Sequence, residues 1–177
     1  MASRSKIIAL IFFVCGLTLH AATCDMTPAG PAQRVFAQAG THDAWAEFKS
    51  IDDAPKLTAG EGISAQVWME PGGMMLVRVM APAQKYTNTT DYCYSKPGYL
   101  DRMSFRLDTE WGWYYVAEGP IVVNRFHRTT EQFFNSASNR PIVVRPEQPD
   151  DFPAMMIPTI YLKAKFLPFA DLLAKRP

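Results

Sequence analysis

Metal-ion and nucleophilic chemistry have little to work with in this chain. Only three of its 177 residues are histidine and three are cysteine. Neither His42 nor His127 has a second histidine, a cysteine or a carboxylate at helical ligand spacing, apart from the adjacent Asp43, which would point elsewhere on a helix. No metal site is expected. Gly60-Glu61-Gly62 lacks the third glycine and the Lys-Ser/Thr ending of a phosphate-cradling loop, and there is no Gly-x-Ser-x-Gly elbow. No cofactor is expected. Charge of either sign is not in excess, with 18 Lys and Arg against 17 Asp and Glu. A general affinity for nucleic acid or for anionic membranes is therefore not implied. Internal repeats and heptads are missing as well.

Long hydrophobic runs are also lacking, and the one sizeable run lies at the start. Arg4 and Lys6 precede an apolar stretch over residues 7–19, which ends in Ala21, Ala22 and Thr23. This is the layout of a secretory signal peptide, and it is shorter than the roughly 20 apolar residues of a membrane span. Residues 1–21 are read as the signal peptide, with cleavage after Ala21 and no integral span in what remains. The alternative is lipidation at Cys24, which the preceding Ala21-Ala22-Thr23 fits poorly. Loss of Arg4 and Lys6 takes the formal charge from +1 to about −1. The remaining residues suit a single domain. Export, to the periplasm or the outside, follows.

Cysteine usage agrees with that compartment. Cys15 leaves with the signal peptide, and Cys24 and Cys93 remain as an even pair where oxidation is permitted. A disulfide between them is expected, worth about 4 kcal/mol in the chain-entropy model.

Most of the strand signal lies beyond residue 60. Residues 22–40, built of Ala, Pro, Gln and Gly with only Val35 and Phe36 to bury, are read as a flexible segment ahead of one β-rich domain over 41–177. A helix is predicted over 43–51, with Trp45 and Phe48 on one side. Residues 63–69 and 74–80 form the clearest hairpin around Glu70-Pro71-Gly72-Gly73, where Pro presets the first corner and Gly accepts a positive φ. Residues 82–97 read as a polar connection. In 102–108, Met103, Phe105 and Leu107 alternate with Arg102, Ser104, Arg106 and Asp108, the period of a strand with one buried face. A second strand, 111–117, carries aromatics on both faces, and a third starts at Ile121. Thr129-Thr130-Glu131-Gln132 resembles a capping box opening a short helix with Phe133 and Phe134. Residues 142–145 read as a short strand, 146–153 as an exposed loop, and Phe169, Leu172 and Leu173 as the inward side of a last helical turn after Pro168.

These elements predict a mainly β, β-rich α+β fold: an antiparallel sandwich or half-open barrel with two or three short peripheral helices. With no catalytic constellation, the functional expectation is a small exported, non-enzymatic binding protein. An inhibitor, an immunity-type protein or an accessory subunit of an envelope assembly would each act by protein–protein contact. The expected partner is another exported or envelope protein, and the contact residues are Trp111, Trp113, Tyr115, Arg125, His127 and Arg128. Trp111, Trp113 and Tyr115 are expected to face outward, with Tyr114 and Val116 turned to the core beside Phe105. The bland alternative is that these rings are core. Arg140 and Arg145 could extend the cationic stretch into an anion-binding edge, the bland alternative being a solvated strand end. A polysaccharide-acting hydrolase is the alternative function, with Asp108, Glu110 or Glu118 as acid and base beside Trp111 and Trp113.

Overall fold

The computed structural model describes residues 26–40, 42–56, 62–83, 86–109, 113–135, 138, 140–142 and 158–175. Ten strands form one antiparallel sheet among these residues: β1 (Arg34–Gln38), β2 (Ala46–Phe48), β3 (Ile63–Glu70), β4 (Met74–Pro82), β5 (Tyr86–Tyr94), β6 (Leu100–Thr109), β7 (Trp113–Val122), β8 (Arg125–Phe126), β9 (Thr130–Asn135) and β10 (Arg140–Ile142). Their order is β10-β9-β7-β6-β5-β4-β3-β1-β2, with β8 pairing to β7. The sheet is open, with β10 and β2 at its edges, and the β-rich antiparallel class expected from the sequence is the one observed. The helix α1 (Ala170–Ala174) and the 3₁₀ turns Pro71–Gly73 and Ala164–Phe166 are the only helical pieces among the described residues.

The predicted hairpin is β3 and β4. Its turn places Gly72 at φ 82° and Gly73 at φ 80°, a backbone region that residues with a Cβ rarely enter. Across the middle of the sheet Ala65 pairs with Val79, Val79 with Thr90, Thr90 with Phe105 and Phe105 with Ala117, and the β5–β6 register shifts once, between Cys93 and Tyr94. Because side chains alternate, one face carries Phe36, Val67, Val77, Tyr92, Tyr94 and Met103, all buried. That face is covered by the chain's own C-terminal segment. Phe169 stacks on Phe36 at 4.8 Å and meets Trp45 at 4.9 Å, and Leu167, Ile160, Tyr161, Leu172 and Leu173 pack into the same core.

Polar contacts fix the segment's path. The hydroxyl of Tyr92 donates to the Thr159 carbonyl at 2.8 Å, and that of Tyr94 to the Tyr161 carbonyl at 3.1 Å. Burial pushes both phenols well above the usual tyrosine range, with the neighbouring tyrosines adding to it. Leu100 N–H donates to the Leu162 carbonyl, and Ala164 N–H to the Gly98 carbonyl. Arg34 donates to the Leu172 and Leu173 carbonyls, 2.8 and 2.7 Å away, and holds Glu47 of β2 with its remaining donors at 2.7 and 2.8 Å. One guanidinium thus ties the carbonyl end of α1 to two strands.

Four expectations are corrected. Residues 34–38, assigned to a flexible segment, are β1, and Phe36 is completely buried. The helix expected over 43–51 is instead β2 followed by turns, because Glu47 and Phe48 pair with Phe36 and Val35. The polar connection over 82–97 contains β5, the middle strand of the sheet. The capping-box stretch opens β9 and not a helix, with Thr130 paired to Glu118. Residues 1–21, Cys24, the loop 146–153 and most of the strand expected at 142–145 lie outside the described residues. No helix among the described residues is long and apolar enough to cross a membrane.

Candidate functional site

β7 forks. Its residues 113–118 pair with β9 on the side away from β6, whereas Ile121 and Val122 pair with Phe126 and Arg125 of β8. Between the two pairings the backbone at His127 and Arg128 presses on Gly119, where an added Cβ would run into the His127 carbonyl. His127 N–H donates to the Pro120 carbonyl at 3.0 Å, and Thr129 N–H to the Glu118 carbonyl at 2.8 Å. A glycine at 119 lets the irregular stretch lie against β7 without losing these bonds.

The tip joining β7 to β8 carries the backbone anomaly of the molecule. Val123 has φ 48° and Asn124 φ 61°, the two positive angles of a tight hairpin turn. Asparagine suits that region, but a β-branched valine there is strained, at a cost of about 1–2 kcal/mol. The valine gains nothing from burial to offset this, since Val123 is 86% exposed and Val122 is 46% exposed. Ile121 and Phe126 anchor the base of the tip in the core. Arg125, His127 and Arg128 are exposed around it, with His127 Nε2 lying 3.3 Å from the Val122 carbonyl oxygen.

The fork separates the expected contact residues into two groups. Arg125, His127 and Arg128 come together at the tip. Trp113 and Tyr115 sit toward the other end of β7, seven or more residues from Val122 and so roughly 24 Å or more along the strand. Trp111 lies outside the described residues. Register sets Tyr115 opposite Leu107 and Phe133, and Trp113 opposite Asn135. Arg140 pairs with Asn135 and so joins the Trp113 end, away from Arg125, while Arg145 lies outside the described residues.

The carboxylates near these strands are engaged. Arg102 pairs with Glu118, and Arg106 with Asp108 at 2.6 Å. Ser104 is opposite Glu118, and Asp108 lies four residues further along β6, so the two residues are about 13 Å apart along the strand backbone. Glu110 lies outside the described residues. Among the described residues, no group of three or more His, Cys, Asp or Glu could hold a metal ion.

Cys93 is fully buried against Trp68 and Leu76. Met26 and Ala32 of the N-terminal segment pack on the same cluster, and Trp68 Nε1 donates to the Gly30 carbonyl at 3.0 Å. Beside the cluster, Arg78 grips Asp91 through two bonds of 2.7 and 2.9 Å, which raise the arginine's pKa further. Sequence reading missed the valine tip because no glycine marks it; Asn124, closing the apolar run 121–123, was the available signal. No protein-family model, no curated protein and no solved structure matches this chain.

Proposed function

We propose that this chain is a small exported, non-enzymatic binding protein acting by protein–protein contact, an inhibitor, an immunity-type protein or an accessory subunit of an envelope assembly, and that its contact element is the β7–β8 tip. The observation that carries this reading is Val123: a β-branched side chain held at positive φ and left 86% exposed. Strain without burial is a cost with no return inside the fold, and such residues concentrate where something outside the fold is engaged. Flanking Arg125 and His127 supply the polar rim that accompanies an apolar anchor in protein interfaces.

Export rests on the leader-like start of the chain and on the bridge proposed for Cys93, which would belong to an oxidising compartment. Cys24 is the proposed other half, because Met26, two residues away and so within about 7 Å of backbone, already packs on the Cys93 cluster. The hydrolase alternative draws no support from Asp108 and Glu118, each held by its own arginine and set at backbone positions about 13 Å apart, against the roughly 5–9.5 Å between glycosidic carboxylates.

The test is capture from an envelope extract of the protein's own host, using the unaltered chain and Val123→Gly side by side. Glycine relieves the backbone strain, so the variant should melt at the same temperature or a few degrees higher. It should also lose about tenfold or more of captured partner. Equal capture by both proteins would remove the tip from the interface, and no specific capture by either would end the binding-protein reading.

A further inference from the structure

A second surface feature lies beside the strand ends, independent of the tip. The turn after β5 at residues 95–98 is clamped to the C-terminal segment: Ala164 N–H donates to the Gly98 carbonyl at 2.9 Å, and Tyr99 and Lys163 form an isolated β-bridge. Between them opens a hollow of about 370 Å³, lined by Pro97, Gly98, Tyr99, Lys163, Ala164 and Lys165. Two lysines line it and no carboxylate does. The hollow is bordered by rings that the fold leaves uncovered, with Tyr99 52% and Phe166 55% exposed. Each ring has an ammonium group over it, Lys163 Nζ at 4.7 Å from the Tyr99 centroid and Lys165 Nζ at 5.4 Å from that of Phe166.

We propose that this hollow and its two rings dock the protein on an anionic membrane surface, with lipid phosphate groups received between Lys163 and Lys165. A flexible lysine stem beside an aromatic ring suits the headgroup layer, where the ring enters the acyl boundary and the ammonium stays at the level of the phosphates. Lys96 adds a third cation nearby, its side chain lying against Gly73 of the adjoining turn. The acidic groups flanking this end in sequence are Glu70 and Asp101, neither of which lines the hollow. A phosphate-bearing surface satisfies the lysines and the rings together, whereas a soluble anion would leave Phe166 uncovered. The chain as a whole has almost no net charge. Attraction to an anionic surface must therefore be local, and it must depend on these few lysines.

Flotation with lipid vesicles tests this, using protein purified from its host. The comparison is phosphatidylcholine vesicles against vesicles in which about a third of the lipid is phosphatidylglycerol. Binding is expected to the second kind only, and to fall when salt is raised from 0.1 to about 0.5 M, as screening shortens. Lys163→Gln with Lys165→Gln should weaken partition about 25-fold, from roughly a factor of five per lysine, without changing the melting temperature, and Phe166→Ser should weaken it independently. Equal binding to both vesicle types, binding unaffected by the double substitution, or no vesicle binding would each overturn the proposal. Retention on immobilised poly-glutamate without vesicle binding would overturn it in favour of an acidic peptide. Partner capture through Val123 is read separately, so neither result decides the other.

Discussion

Gly119 and Val123 sit four residues apart, and each occupies a place that backbone rules would give to the other type. Gly119 needs no unusual φ; it is required for space, because the backbone of His127 and Arg128 closes on it. Val123 has unlimited space but the wrong φ, and a glycine would be more comfortable there. The pair separates two reasons for glycine that a sequence alone cannot distinguish. Gly119→Ala is expected to destabilise the fold by about 1–3 kcal/mol, since the added methyl group meets backbone, which cannot swing aside as a side chain would. For a domain of this size that corresponds to a fall in Tm of roughly 3–10 °C. A thermal melt indistinguishable from that of the unaltered protein would show that the stretch at His127 yields freely.

Strands differ in how openly they announce themselves, and β5 is the instructive case. Its sequence, Tyr86-Thr87-Asn88-Thr89-Thr90-Asp91-Tyr92-Cys93-Tyr94, is too polar to suggest the middle of a sheet. Three threonines and three tyrosines are nevertheless strong strand formers, and the polarity has a reason in the register. Asp91 lies opposite Arg78, which satisfies it, and the hydroxyls of Tyr92 and Tyr94 are taken up by the C-terminal segment. Those partners are 13 and 67 residues away in sequence, so no local pattern reveals them. The β3–β4 hairpin was legible because Pro71-Gly72-Gly73 acts locally, and β6 because its alternation is complete. β9 was misread because its capping-box letters also fit a strand once Glu118 is there to pair with Thr130. The two tyrosines also predict a pH dependence. Their folded pKa values are raised above the unfolded value of about 10. Their contribution is therefore complete below pH 10, and it is lost as pH rises from there toward the folded values, by up to about 1.4 kcal/mol per pH unit for each group. Tyr92→Phe with Tyr94→Phe should be less stable at pH 8, by about 1–3 kcal/mol for two hydrogen bonds. Urea unfolding between pH 10 and 11.5 should then show a shallower decline than in the unaltered protein. Parallel declines would mean that the phenols are not what the alkaline limb reports.

At the scale of the molecule, the strand ends are not equivalent. Met69, Tyr99, Val122, Val123 and Phe166 are five of the six large hydrophobics exposed among the described residues. All five belong to the end where β3 turns into β4, β5 into β6 and β7 into β8, since Met75 pairs with Tyr94 and Arg102 with Pro120. Both proposed contacts, the tip and the lysine-lined hollow, therefore share one end of the sheet. The start of the chain is held to the same sheet. Cys93 sits buried in the middle strand, and Met26, Gly30 and Ala32 are drawn to its cluster. A bridge to Cys24 would close a loop of about 70 residues, which the chain-entropy model values at about 4 kcal/mol, or a change in Tm on the order of 10 °C. Alkylation of host-derived protein in denaturant without reductant should add no alkyl group, and after reduction it should add two, at Cys24 and Cys93. The mass should also lack residues 1–21. Two groups added before reduction would show that the bridge is absent. A peptide linking Cys93 to Cys15 would show that the leader is retained and would overturn the export reading with it, because Cys15 lies inside the segment that cleavage removes.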